Sequence, residues 1–199
     1  MNRTLVLASA SSARARLLRE AGVEFTIDSA DLDEGAAKAA QRRNGANAAD
    51  CAMALAVAKA RTVARRRPGV PVIGADQILA LGELWLDKPP DLTSARQQLT
   101  ALRGRTHRLA TAVCVCSGEA VLWRAASEPR LTMRDFSDAF LDAYLAEEGE
   151  AILSSVGAYR LEARGAQLFA ATEGDHFAIQ GLPLIEMLAY LRSVGMIRT

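Results

Sequence analysis

An α/β fold built on a mixed sheet is predicted by three features of the sequence. Short apolar runs alternate with longer stretches of helical periodicity. The region from Thr106 to Met133 alternates in the way an antiparallel hairpin does. Turns rich in glycine and proline separate the segments. Hairpins and helical crossovers together point to a mixed rather than a purely parallel sheet. A length of 199 residues fits one domain, 1–199, with room for two lobes.

The opening run Leu5-Val6-Leu7 reads as a buried strand. It turns through Ala8-Ser9-Ala10-Ser11-Ser12 into a helix with Ala13, Leu17 and Ala21 at i, i+4, i+8. Serine is a good N-cap, and a strand, small-residue turn and helix N-terminus together favour a bound anion. Arg14, in the first turn, adds a fork suited to phosphate. The plain alternative is a strand–helix corner with surface arginines. Val23 to Ile27 alternates as a second strand and leads into Asp28-Ser29-Ala30-Asp31-Leu32-Asp33-Glu34. Four acids in seven residues are either a solvated loop or oxygen ligands for a hard divalent cation.

Residues 35–67 read as mostly helical, with Asn47 capping a long helix from Ala48 to about Arg66, stopped by Pro68-Gly69. Lys59 stands alone in an apolar stretch of that helix, so it must snorkel or meet an anion. Arg65-Arg66-Arg67 lies at the helix C-terminus, where the dipole favours cations. Val70 to Leu81 is apolar on both sides of Gly74-Ala75-Asp76-Gln77, which predicts a central strand. A carboxylate within such a run is costly unless paired, hydrogen-bonded or metal-bound, so Asp76 is the sharpest local signal of function. Lys88, held before Pro89-Pro90, is either a positioned phosphate contact or a surface lysine.

Asp91 to Leu102 is amphipathic and stops at Gly104. Strands follow through Cys116 and back through Trp123 to Met133, then a helix from Ser137 to Glu148. Glu162 lies in a segment bracketed by Gly157 and Gly165, a setting common to functional loops. A strand from Gln167 to Ala171 and a last helix opened by Gly181-Leu182-Pro183 complete the chain.

A formal net charge of +1 gives no global field for nucleic acid or an anionic membrane. No apolar run reaches the ~18 residues needed to cross a bilayer, and no signal-peptide pattern precedes Leu5, so the expectation is a cytoplasmic protein. Cys51, Cys114 and Cys116 are an odd set without a partner cluster, read as small buried hydrophobes. His107 and His176 lack metal-ligand spacing.

The chain resembles the Maf family of nucleotide pyrophosphatases. The matching motifs are Leu7-Ala8-Ser9-Ala10-Ser11-Ser12-Ala13-Arg14 with Leu17-Leu18, Asp33-Glu34, Lys59-Ala60, Gly74-Ala75-Asp76-Gln77, Asp87-Lys88-Pro89, Gly104-Arg105-Thr106-His107, Gly157-Ala158-Tyr159 and Gly181-Leu182-Pro183-Leu184. They run in family order over nearly the whole chain. The resemblance implies a fold like that of inosine-triphosphate pyrophosphatases: an elongated mixed sheet flanked by helices, with a cleft between two lobes. It also implies hydrolysis of a nucleoside triphosphate to the monophosphate and pyrophosphate with Mg²⁺ or Mn²⁺, and it suggests a homodimer. On this reading Asp76, Lys88 and Lys59 are catalytic. Ser9, Ser11, Ala13, Arg14, Gln77 and Glu162 line the substrate, and Glu34 and Asp76 hold the metal, with Asp33 as a further candidate. Asp76 is then general base or metal ligand.

Three positions depart from the commonest family pattern. Many members carry Pro-Arg-Arg where this chain has Ser12-Ala13-Arg14, which removes one contact at Ala13. Gln77 replaces a common threonine, and Glu162 replaces the glutamine of the dTTP/UTP-preferring subgroup. Gln77 and Glu162 instead resemble the subgroup acting on 7-methyl-GTP. A carboxylate accepts from guanine N–H groups, whereas a glutamine suits a pyrimidine. The competing functions are a non-catalytic nucleotide- or nucleic-acid-binding regulator of cell division, and an RNA-binding module using Arg65-Arg66-Arg67. The latter lacks interleaved aromatics and net positive charge, and the expectation is no stable nucleic-acid partner and no membrane.

Overall fold

The computed structural model describes residues 5–198. The termini of the expected domain, 1–4 and 199, lie outside the described residues. The chain forms a mixed sheet in the order β2-β1-β3-β5-β7-β8, with β4 paired to β3 and β6 paired to β5. The strands are β1 (Val6–Leu7), β2 (Thr26–Ile27), β3 (Val72–Leu81), β4 (Leu84–Leu86), β5 (Thr106–Ser117), β6 (Ala120–Ser127), β7 (Arg130–Met133) and β8 (Phe169–Glu173). The helices are α1 (Ser12–Glu20), α2 (Glu34–Arg43), α3 (Ala48–Ala64), α4 (Leu92–Leu102), α5 (Asp138–Glu148), α6 (His176–Ile179) and α7 (Leu184–Ser193). No helix among the described residues is long and apolar enough to cross a membrane.

The long strands β3 and β5 form the spine, antiparallel from Val72 opposite Cys116 to Ala80 opposite Arg108. Period-2 alternation sends their side chains to two faces. Val72, Ile78, Ala80, Ala110, Ala112, Cys114 and Cys116 pack under α3. Ile73, Ala75, Val113 and Val115 pack under α1 and α7. Leu79, Leu81, Leu109 and Leu131 meet α4, α5 and the irregular segment after α5 at the other end of the sheet. These packed ends are the two lobes expected from the resemblance, with a cleft of 1060 Å³ between them.

β1 runs parallel to β3 only at Val72 and Ile73, and β4 pairs with β3 only from Leu79 to Leu81. Between them the β3 edge is open, at the stretch that carries Asp76 and Gln77. Binding at the carboxyl end of a parallel strand, where the chain turns away from the sheet, is the general rule for such folds. Gly74 serves the same region from the other side. A Cβ there would run into the Ala56 carbonyl oxygen and lie 2.8 Å from Ala60 Cβ. Glycine therefore lets α3 sit directly on β3.

Several sequence expectations shift. The buried side of α1 is Arg14, Ala15, Leu17 and Leu18, one position round from the expected Ala13 stripe. The second strand keeps only the exposed Thr26 and Ile27, because Val23 turns into the core while its neighbours remain loop. The long helix stops at Ala64. The last strand starts two residues late, at Phe169, because Arg164–Leu168 winds into a 3₁₀ turn. The single hairpin expected over 106–133 is two ladders: β6 pairs with Thr111–Ser117 and β7 with Thr106–Arg108. Asn47 and Ser137 cap their helices as expected, accepting from Asp50 and Phe140 backbone N–H. The three cysteines are buried and free.

Candidate active site

The opening turn is built by serine side chains. Ser11, the N-cap of α1, accepts from the Arg14 backbone N–H at 3.4 Å. Ser9 Oγ accepts from Ser11 N–H at 3.2 Å and from Arg14 Nη1 at 3.1 Å. Arg14 is 9% exposed, and its Nε donates to the Gly181 carbonyl at 2.9 Å. Gly181 has φ +106, which presents that carbonyl at no steric cost. Burial pulls the Arg14 pKa down, and Asp76 and Glu34 pull it back up. A guanidinium stays charged under such a shift, so the cleft holds a fixed, desolvated cation beside the small-residue turn. Ala13 adds only a methyl to the cleft wall.

Lys59 comes from the middle of α3 and Asp76 from the middle of β3. Each is 6% exposed. Lys59 Nζ donates to Asp76 Oδ1 at 2.5 Å and lies 2.9 Å from Glu34 Oε1. The anion that the lone lysine demanded and the cation that the buried carboxylate demanded are thus each other. Glu34, the first residue of α2, is the exposed member of the trio. Asp33 faces away: it caps α2, accepting from Ala36 N–H at 2.9 Å. Asp28 pairs with Arg66 and Arg67 instead, and Arg65 pairs with Glu119. The arginine run is therefore tied into ion pairs.

Lys88 reaches the cleft from the loop after β4. Desolvation within the cleft lowers its pKa first, then the Arg14 and Lys59 charges, opposed by Glu34 and Asp76. α2 is latched over this loop by a Lys38–Asp87 ion pair, by Arg42 Nη2 donating to the Glu83 carbonyl at 2.7 Å, and by Arg42 over Trp85.

Gln77 points to the other face of β3. Its Nε2 donates to Thr111 Oγ1 at 2.8 Å and to the carbonyls of Ala178 and Ile179 at 2.9 and 3.2 Å. Glu162 also lines the cleft and accepts from Arg16 Nη2 at 3.0 Å. Arg16 and Gln180 are site residues that sequence reasoning did not single out, and Gly181 entered only as part of a motif. The signal lay in the matched Gly181-Leu182-Pro183 motif, whose glycine carbonyl anchors Arg14. His107 is buried and supports the wall, its Nε2 2.7 Å from Tyr159 Oη.

The structure brings Ser9, Ser11, Ala13, Arg14, Glu34, Lys59, Asp76, Gln77, Lys88 and Glu162 to one cleft. Asp76 and Glu34 converge on one cationic centre, at present the Lys59 ammonium. Among the described residues no group of three or more His, Cys, Asp or Glu is set to hold a metal by itself. Two carboxylates beside fixed cations fit a divalent ion that takes its remaining oxygens from a phosphate ligand and water.

The family profile described as Maf-like protein matches residues 4–194. The chain belongs to the Maf family. A relative from Rhodospirillum rubrum named nucleoside triphosphate pyrophosphatase is 50% identical over 193 residues, covering 97% of this chain and 96% of the relative. A relative from Brucella abortus named 7-methyl-GTP pyrophosphatase is 47% identical over 188 residues, covering 94% of each. A solved nucleoside-triphosphatase / dITP/XTP pyrophosphatase from Mycobacterium abscessus aligns over 97% of this chain and 95% of its own, with a TM-score of 0.47 and 14% identity. The Maf motifs named from sequence supply the turn, both carboxylates and the lysines of one cleft.

Proposed function

We propose that this Maf protein is a nucleoside-triphosphate pyrophosphatase, hydrolysing its substrate between the α- and β-phosphates. The observation that carries the reading is the placement of Arg14, Lys59 and Lys88 around Asp76 and Glu34 in one cleft beside an N-capped helix start. Its relatives named as pyrophosphatases cover nearly the whole chain.

The α1 N-terminus and the Ser9–Ser12 turn cradle phosphate oxygens with N–H and hydroxyl groups. Arg14, already fixed by Ser9 and Gly181, meets the triphosphate without reordering. Lys88 neutralises charge on the departing pyrophosphate. Lys59 holds Asp76 by Oδ1, leaving Oδ2 to orient a water and take its proton. The water oxygen bonds to the α-phosphorus as the bridging oxygen leaves with pyrophosphate. Glu34 and Asp76 would hold Mg²⁺ or Mn²⁺, which when bound supplies further charge neutralisation at the phosphates. Positioning and charge account for most of the catalysis, as is usual for phosphoryl transfer.

Pyrophosphate release from dTTP, UTP, CTP, GTP and 7-methyl-GTP with either metal tests the reading. Release from at least one is the expected result. No release from any of them by folded protein would overturn it in favour of a binding regulator.

A further inference from the structure

The cleft holds a second polar group, separate from the Lys59 cluster. Arg16 Nη2 donates to Glu162 Oε1 at 3.0 Å and to Gln180 Oε1 at 2.9 Å. The three residues come from α1, from the irregular segment before β8 and from the end of α6, and all line the cleft. Arg16 also lies 3.8 Å from Glu20 on its own helix.

A guanidinium can only donate. Gln180 must therefore turn its amide oxygen to Arg16, which leaves its Nε2, a donor, for the cleft. Glu162 can only accept when ionised, and Oε2 together with the remaining lone pair of Oε1 is its offer to a ligand. Arg16 thus sets a donor beside an acceptor. The backbone on either side of Gln180 is pinned as well. Gln77 holds the carbonyls of Ala178 and Ile179, and Arg14 holds that of Gly181. Gln77 therefore acts on this group through the chain rather than by its own amide N–H groups.

The complement of such a wall is a base edge with a carbonyl next to two N–H donors. Guanine has O6, N1–H and N2–H₂ in that order. Uracil and thymine place one N–H between two carbonyls, so a carboxylate meets a lone pair. Adenine and cytosine offer one amino donor beside a ring-nitrogen acceptor, so one carboxylate oxygen is left unmatched. Unpaired or opposed polar groups in a partly desolvated site give strong discrimination.

We propose that Arg16 is a positioning residue that sets base selectivity, holding Glu162 and Gln180 as an acceptor–donor pair for a guanine-type base. The proposal rests on reading the cleft as a nucleotide site. Guanine over uracil is the discrimination it predicts.

The test compares wild type, Arg16→Ala and Arg16→Lys by steady-state pyrophosphate release from GTP and UTP, and by metal-free equilibrium binding of GMP and UMP. In Arg16→Ala the GTP-to-UTP ratio of kcat/KM falls about tenfold, the size expected for losing one charge-assisted hydrogen bond. The fall lies in KM rather than kcat, the GMP-to-UMP affinity ratio falls in step, and Arg16→Lys recovers part of both. Equal losses on the two bases, a loss confined to kcat, or no change would overturn the proposal. If wild type turns over neither GTP nor UTP, nor dTTP, CTP or 7-methyl-GTP, the pyrophosphatase reading fails, and the GMP and UMP affinities still decide the role of Arg16: equal affinities reject it, and a guanine preference lost in Arg16→Ala supports it.

Discussion

Lys59 Nζ and Asp76 Oδ1 lie 2.5 Å apart with both residues almost fully enclosed, one from the centre of a helix and the other from the centre of a strand. Neither charge could be left there alone. The pair is coupled to the surface through Glu34, 2.9 Å from the same ammonium. Asp76→Asn is expected to lower kcat by roughly 10²–10⁴-fold, the range for loss of a proton-transferring group. Asparagine keeps an acceptor, and Glu34 still partners Lys59, so the stability loss should be about 2 kcal/mol. Steady-state kinetics beside urea unfolding checks both halves.

The contact between α3 and β3 depends on the missing side chain at Gly74. Gly74→Ala puts a methyl against the Ala56 carbonyl and Ala60, and backbone there cannot give way as a flexible side chain would. The expected outcome is a loss of about 2 kcal/mol or more from overpacking, accompanied by weaker activity because Lys59 rides on the displaced helix. Urea unfolding and kcat/KM on the same preparation read the two effects.

These two positions also mark how much the sequence could tell. Asp76 and Lys59 stood out because each is a charge in an apolar run, a local anomaly with a physical cost. The opening serines and Arg14 were legible because capping and anion binding are properties of a short stretch. Arg16 and Gln180 were not, because their significance is a meeting of distant segments. Asp28 and Asp33 stayed open between loop and ligand for the same reason. Composition cannot distinguish a carboxylate that binds a cation from one that caps a helix or pairs with Arg66. Strand edges were misjudged where a single turn, such as Arg164–Leu168, absorbed residues that alternate well enough to extend.

Lys88 loses its proton more easily than an ordinary lysine, through desolvation and the nearby Arg14 and Lys59 charges. Activity that needs its charge should therefore fall on the alkaline side before the usual lysine range. Lys88→Arg should move that limb to higher pH, since arginine does not titrate there, while Lys88→Met should raise KM for the triphosphate about tenfold. A pH profile of kcat/KM from neutral to alkaline separates the variants.

His107 is held neutral by burial, its pKa lowered to about 4. The unfolded chain binds a proton near pH 6.5, so between these values the unfolded state carries more protons than the folded one. Stability from this site is fully present above about pH 6.5 and is lost as the pH falls toward about 4. The full difference is roughly 3 kcal/mol. Urea unfolding of wild type at pH 7.5 and pH 4.5 should show the fall, and His107→Gln, which keeps a hydrogen bond to Tyr159, should flatten part of it.

The central claim is attack of water at the α-phosphorus with Asp76 beside it. Hydrolysis of GTP with Mg²⁺ in ¹⁸O-labelled water, followed by mass analysis of the products, tests it most directly. The account predicts one labelled oxygen in the nucleoside monophosphate and none in the pyrophosphate, with the reaction slowed by roughly 10²–10⁴-fold in Asp76→Asn. Label in pyrophosphate, or release of orthophosphate and a nucleoside diphosphate, would contradict it.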